Sequence, residues 1–331
     1  MFGNSGRGRM IPSRRGFFPG KTARIRTGVT GTMKFSVDRP IAPKNALFCM
    51  AACAFLWSTS GALIKLVRWN GMAIAGMRSL IAGVVLLAYL KLVGKKLVVN
   101  RLTLTVGFAV MLKFVCFTVG NKLTSSANMV ALQYTNPVFV LIFSMLFFGQ
   151  RFRRKDIAVA LATAGGIAML TLEGTGDATM LGNFLGLTVG VTTAIMHLMN
   201  GKAKSYAESL SINIFGNIYT AVLMCPFFFI GGGLSWDAGS VTGILLLGLL
   251  QQAAAYIVYG FAIRNAPTLN CTLIAALNPL FNPVWTALLV HEYPGPLTLA
   301  GFGIVLVSIT LWTLSNARDK AAEQAKTPRG E

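Results

Sequence analysis

Two ionised side chains, Arg78 and Lys113, fall inside long apolar runs, whereas all ten acidic residues fall outside them. A cation in hydrocarbon with no carboxylate in reach is costly unless carbonyls, water or a solute offset its charge. Lys113 lies deep in its run and reads either as a lysine held by neighbouring carbonyls or as the attractor for a carboxylate or phosphate on a solute. Arg78 is expected to snorkel outward and hold carbonyls at the outer end of its helix. Amides and aromatics recur at helical spacing around these cations. Gln252, Tyr256 and Tyr259 share one helix face, as do Thr193, His197 and Asn200, and again Asn213, Asn217 and Thr220. Gln133 pairs with Asn136 and Asn278 with Asn282 in the same way, and Trp57 lies close to Ser60 and Gly61. Phe117 adds a further aromatic to the run that holds Lys113. Such residues serve interhelical hydrogen bonds or line a polar pathway, and a stripe that recurs in several runs favours a pathway for part of the set. Pro137, Pro279 and Pro283 fall in the middle of apolar runs, where each removes a helix hydrogen bond. They are expected to kink helices, either simply for fit or so that helix halves tilt during gating.

Reaction chemistry has little to work with. His197 and His291 are the two histidines, and His197 has neither an acid in its run nor a suitably spaced Ser or Cys. Cys49, Cys53, Cys116, Cys225 and Cys271 lie in apolar runs without a C-x-x-C pair, so they read as small hydrophobes. No metal site and no cofactor are expected. A membrane-embedded enzyme acting on a lipid or lipid-linked substrate is the alternative reading, weakened by the lack of paired carboxylates. The same lack bears on energy coupling, because ion-driven carriers usually keep an acid in the membrane. Coupling would fall to His197, to Glu292 at a helix end or to carbonyls, and facilitated diffusion or exchange fits equally well.

The elements that must position these side chains are membrane helices. The chain has 331 residues, 54% hydrophobic and 12% charged, about half the charge of a soluble domain. Its apolar runs are about 18 to 23 residues long, the length of a bilayer-spanning helix. Spans are expected at 46–66, 72–93, 103–121, 127–148, 156–172, 181–201, 211–231, 241–263, 268–290 and 297–315. Short connections predict that successive helices pack as antiparallel neighbours. With the N-terminus inside, the inner segments carry ten Lys and Arg in residues 1–44 and fifteen elsewhere, against Lys65, Arg68 and Lys122 outside. Both termini are therefore expected in the cytoplasm. The net charge of +20 then reflects topology, and no nucleic-acid partner is expected. Residues 1–44 are expected to be a disordered, basic cytoplasmic segment. Its Gly- and Arg-rich first part is alternatively a transit peptide, or lies ahead of a true start at Met33. Residues 316–331 are expected to be a cytoplasmic tail.

The chain also repeats itself. At an offset of 142 residues, Asn136-Pro137-Val138-Phe139 falls on Asn278-Pro279-Leu280-Phe281, Phe114 and Phe117 fall on Tyr256 and Tyr259, and Gln150 falls on Glu292. A repeat of five spans inverts when copied, because five is odd, and inverted repeats place a solute site at their interface near the midplane. The run Thr124-Ser125-Ser126-Ala127 leading to Asn136-Pro137 resembles the first repeat of the drug/metabolite transporter superfamily, EamA type. Ala262-Ile263-Arg264 through Asn278-Pro279 to Glu292 and Gly301 is similar to the second, and Trp57 and Arg78 sit where that family commonly has them. Gly149-Gln150 departs from the Gly-Glu with which the family often ends its fourth span. The resemblance implies an all-α polytopic membrane protein of ten transmembrane helices, as two inverted five-helix repeats over 45–173 and 180–315. It implies a carrier of a small metabolite, zwitterionic or anionic, such as an amino acid or drug-like solute, in a bacterial-type cytoplasmic (inner) membrane. A monomer or homodimer in contact with lipid is expected.

Overall fold

The computed structural model of the chain describes residues 42–148, 153–172, 177–200, 202–230, 234–266, 271, 274–275 and 277–326. Residues 1–41, which hold most of the expected basic segment, and 327–331 lie outside these. Every regular element among the described residues is helical. In chain order the helices are α1 Pro43–Ser58, α2 Ser60–Leu66, α3 Gly71–Leu92, α4 Arg101–Leu123, α5 Ser126–Gln133, α6 Asn136–Phe148 and α7 Arg154–Leu172. They continue with α8 Asp177–Asn200, α9 Tyr206–Met224, α10 Ala238–Leu246, α11 Ala255–Asn265, α12 Leu277–Val290 and α13 Pro296–Lys326. A 3-10 turn, Cys225–Phe228, ends α9, and a π-helical segment, Leu247–Ala254, joins α10 to α11.

Helix starts follow from side chains that can accept from the first free backbone N–H groups. Asn70 accepts from Ala73 N at 2.7 Å to begin α3, and Asn100 accepts from Thr103 N at 2.8 Å to begin α4. The Thr103 hydroxyl accepts in return from Asn100 N at 3.0 Å, closing a capping box. Ser125, Ser205 and Asp237 cap α5, α9 and α10 in the same manner.

Eight helical stretches among the described residues are long and apolar enough to cross a membrane: Lys44–Leu66, Gly71–Leu92, Arg101–Leu123, Ser126–Phe147, Thr179–Met199, Tyr206–Phe228, Ala238–Ile263 and Pro296–Asn316. Of the other two expected spans, 156–172 is helical within α7, and 268–290 runs partly through residues outside the described ones before α12. The polarity of surface and interior identifies the solvent. Phe48, Phe147 and Leu161 are 76%, 75% and 69% exposed, while Thr118, Asn121, Ser126 and Asn217 are 0% exposed. An apolar exterior around buried amides and hydroxyls is the pattern that lipid requires. The chain is an integral membrane protein.

Packing departs from the expectation that successive helices are the main neighbours. α4 packs chiefly on α8 and α9, α7 on α13, α3 on α9 and α1 on α11. Small residues explain two of these pairs, since helices in lipid gain by close approach. A Cβ on Gly107 of α4 would lie 2.7 Å from Phe215 Cβ of α9, and one on Gly301 of α13 would lie 2.5 Å from the Gly166 carbonyl of α7. Each glycine therefore sets a contact between helices far apart in the chain.

Candidate functional site

The packing leaves a cavity of about 630 Å³ among α1–α6, α8, α9, the π-helical segment and α11–α13. Its mouth lies at Lys204 and Ser205, both exposed, just before α9. From there it runs past Ile263 and Thr313 to a floor formed by Ser60, Gln133 and Phe117.

One wall is cationic. Arg78 of α3 and Lys113 of α4 both line the cavity, and no Asp or Glu stands among its described lining residues. Arg78 is 2% exposed, so the expected snorkelling is corrected: the side chain turns into the bundle. Its Nη2 donates a long hydrogen bond, 3.5 Å, to the Phe114 carbonyl, and its guanidinium carbon stands 5.6 Å from the Phe114 ring centre. Phe114, next in the chain to Lys113, thereby offers the cation both a carbonyl and a ring face. Arg78 Nε and Nη1 are buried without a partner.

Beside these cations the lining is aromatic. Trp57 packs on Tyr256 and Tyr259, with ring centres 5.6 and 5.2 Å apart, and Tyr256 meets Phe114 at 6.0 Å. Phe114 and Tyr256 are the residues paired by the 142-residue offset, and here their rings touch. Asn136 and Asn278, also paired by that offset, both line the cavity with the adjacent Pro137. Gln252 and His197 also line it, and His197 is exposed to it.

Other expected site residues stand one layer behind. Asn217 is 0% exposed and does not line the cavity; its Oδ1 accepts from Gln252 Nε2, which also reaches the Ser79 hydroxyl at 3.3 Å. Asn282 donates through Nδ2 to the Ser58 carbonyl at 3.0 Å, and Trp285 donates to the Ser58 hydroxyl at 2.9 Å, so α12 clamps the junction of α1 and α2. The side chain of Asn200 lies outside the described residues. The prolines are not equivalent: Pro137 is the second residue of α6, where a missing N–H costs little, whereas Pro283 lies inside α12. Pro279 stands in the first turn described for α12, off the cavity.

Several lining residues escaped the sequence reading. Tyr134 lines the cavity and donates its hydroxyl to the Ala275 carbonyl at 2.7 Å. Its adjacency to Gln133 was the available signal. Lys204 and Ser205 at the mouth belong to a loop and carry no periodic signal.

The far end of the bundle is sealed. Lys65, ending α2, pairs with Glu292, just past α12, at 2.7 Å, and also donates to the Thr124 carbonyl at 3.0 Å. The second Glu292 oxygen accepts from Ser126 N at 2.7 Å. Lys122 donates to the Val67 carbonyl at 2.6 Å. His291 takes a φ of 53°, the left-handed conformation, and this turns the chain so that Glu292 N reaches the Thr286 carbonyl at 3.1 Å.

The cavity inside an integral membrane bundle is matched by a finding in sequence. The sequence model of the EamA-like transporter family matches residues 44–172 and again 180–314. The chain belongs to the EamA-like transporter family. The transporter is 25% identical over 284 residues to the uncharacterized inner membrane transporter YedA of Escherichia coli (strain K12), covering 82% of this chain and 90% of that one. It is 20% identical over 177 residues to a probable terminal-alkyne amino-acid exporter of Streptantibioticus cattleyicolor, covering 53% and 60% of the two chains. A crystal structure superposes on the transporter with a TM-score of 0.59 at 16% identity, covering 84% of this chain and 99% of that one, a likeness of fold alone. The family and these relatives are transporters by name, which points away from an enzyme.

Proposed function

We propose that the transporter carries a small zwitterionic or anionic metabolite, such as an amino acid or a drug-like solute, across the cytoplasmic membrane by alternating access. The observation that carries this reading is a cavity whose lining runs from exposed Lys204 and Ser205 to buried Ser60, with the Lys65–Glu292 pair at the other end of the bundle. A carrier must present its site to one side at a time, and here an ion pair of partly exposed groups closes one side. The solute site takes in Trp57, Ser60, Arg78, Lys113, Phe117 and Gln133 on the first half, then His197, Gln252, Tyr256, Tyr259 and Asn278 on the second.

Two inverted five-helix repeats, ten helices in all, over 45–173 and 180–315, are the architecture we assign. Support comes from the double family match and from the contact of Phe114 with Tyr256, the pair related by the 142-residue offset. With both termini in the cytoplasm, as the Lys and Arg bias implies, the mouth faces inward and the Lys65–Glu292 seal faces outward. The name of the Escherichia coli relative supports an inner-membrane location, and that of the Streptantibioticus relative supports an amino-acid-like cargo.

Flux into proteoliposomes, screened over amino acids, nucleobases and organic acids, tests the proposal. The expected result is saturable uptake of at least one anionic or zwitterionic solute. No flux above empty vesicles across the panel refutes it.

A further inference from the structure

Arg78 is where the cavity's charge balance is most out of step with its surroundings. A guanidinium stays protonated in proteins, so its charge cannot be relieved by losing a proton. Side-chain carboxylates ordinarily satisfy such a group, and the cavity lining offers none. The Arg78 contacts are a long bond to one carbonyl and one ring face, both from Phe114. Two N–H groups, at Nε and Nη1, remain buried and unpartnered in a side chain that is 2% exposed. Those two nitrogens lie on the two edges of the guanidinium, each shared with Nη2, and each leaves an N–H for a carboxylate oxygen. Lys113, one residue before Phe114, brings a second cation to the same wall, again without an acid beside it. Beside them, reached through Phe114, stand Trp57, Tyr256 and Tyr259, whose rings offer flat apolar surface.

We infer that Arg78 and Lys113 form a carboxylate-binding subsite, with the solute carboxylate accepting from the unpartnered N–H groups of Arg78 and its apolar body against Trp57, Tyr256 and Tyr259. This rests on the proposed carrier function and narrows its cargo to organic carboxylates, with cations and neutral amides excluded. The physical reason is that a carboxylate supplies the counter-charge the fold lacks, so binding recovers the desolvation that Arg78 already bears.

The test uses two probes of one shape, 3-phenylpropionate and its neutral amide, 3-phenylpropionamide, titrated calorimetrically against the purified full chain in lipid nanodiscs. The carboxylate is expected to bind roughly tenfold or more tightly than the amide. Arg78→Gln and Lys113→Gln should each collapse that ratio, whereas Lys113→Arg should keep most of it. Thermal unfolding of each variant separates a lost subsite from a lost fold, and Lys113→Met supplies a second uncharged side chain. Equal binding of the two probes by the native chain, or a ratio that survives in folded Lys113→Gln and Lys113→Met, overturns the inference. If the ratio behaves as expected while no solute is transported, the carrier reading fails and the subsite stands. If a solute is transported while the ratio is one, the reverse holds.

Discussion

Replacing Glu292 with Gln tests the seal most directly. The substitution keeps an oxygen for the Ser126 N–H, now 2.7 Å away, and removes the charge that holds Lys65 at 2.7 Å. Both side chains of the pair are 22% exposed, so solvent screens it in part. A charge-assisted hydrogen bond contributes about 1.5–3 kcal/mol when shielded, and a fully exposed pair under about 1 kcal/mol. An intermediate of about 1–2 kcal/mol follows, enough to shift a two-state equilibrium about 5- to 30-fold. If the pair closes only this state, the whole shift appears as opening toward the Lys65 side. The assay places a cysteine at Gln133, on the cavity floor, after replacement of the native cysteines. A membrane-impermeant thiol reagent is then applied from the Lys65 side. Labelling should rise by the stated factor in Glu292→Gln and in Lys65→Met, and fall back when the two residues are exchanged. Unchanged labelling in both single variants, accompanied by a lower melting temperature, would show a brace rather than a gate and would refute the reasoning.

Further outcomes are expected at three places, Asn217, the glycines of α13 and Asp237. Asn217→Ala removes the acceptor of Gln252 at a site that is 0% exposed, and should lower stability in thermal unfolding by about 1–3 kcal/mol. Gly301→Leu drives a side chain toward the Gly166 carbonyl, 2.5 Å from where the Cβ would stand, and should cost about 1–3 kcal/mol in the same assay. Gly303→Ala, on the same helix with nothing within 4 Å, should leave the melting temperature unchanged or slightly higher. Asp237 caps α10 outside the membrane, and hydrogen bonds from the Ser240 hydroxyl, the Ser235 hydroxyl and Ser240 N hold its carboxyl well below the usual carboxylate range. Such a group stabilises the fold fully above its ordinary value near 3.9 and loses that contribution only as pH falls toward its lower folded value. Amide exchange at the start of α10 should therefore stay slow down to about pH 4 and quicken below it, while Asp237→Asn should quicken it at neutral pH.

Much of the scaffold was legible because its causes are local. Apolar runs of spanning length and the recurrence of Asn-Pro are properties of short stretches of chain. The stripe of Gln252, Tyr256 and Tyr259 was readable from helical spacing, and all three line the cavity. Spacing could not say which polar face turns inward. Asn217 and Gln252 carry the same periodic signal, yet one supports and the other lines, because α9 packs against α3 and α4 while the π-helical turn presents Gln252 inward.

The sequence by itself determined the solvent, the helical class and the scarcity of acids in the apolar runs, since these follow from composition and period. Only the tertiary structure decided where the charges go. Arg78 sits on a span from which a long side chain could reach either the membrane surface or the interior, and the approach of Phe114 turns it inward. Lys65 and Glu292 lie in distant connections with no shared periodicity, and they meet because α2 and α12 pack side by side. Helix formation is settled within a few turns of chain, whereas the partner of a side chain is settled by which helices can approach, and small residues such as Gly107 and Gly301 set that approach.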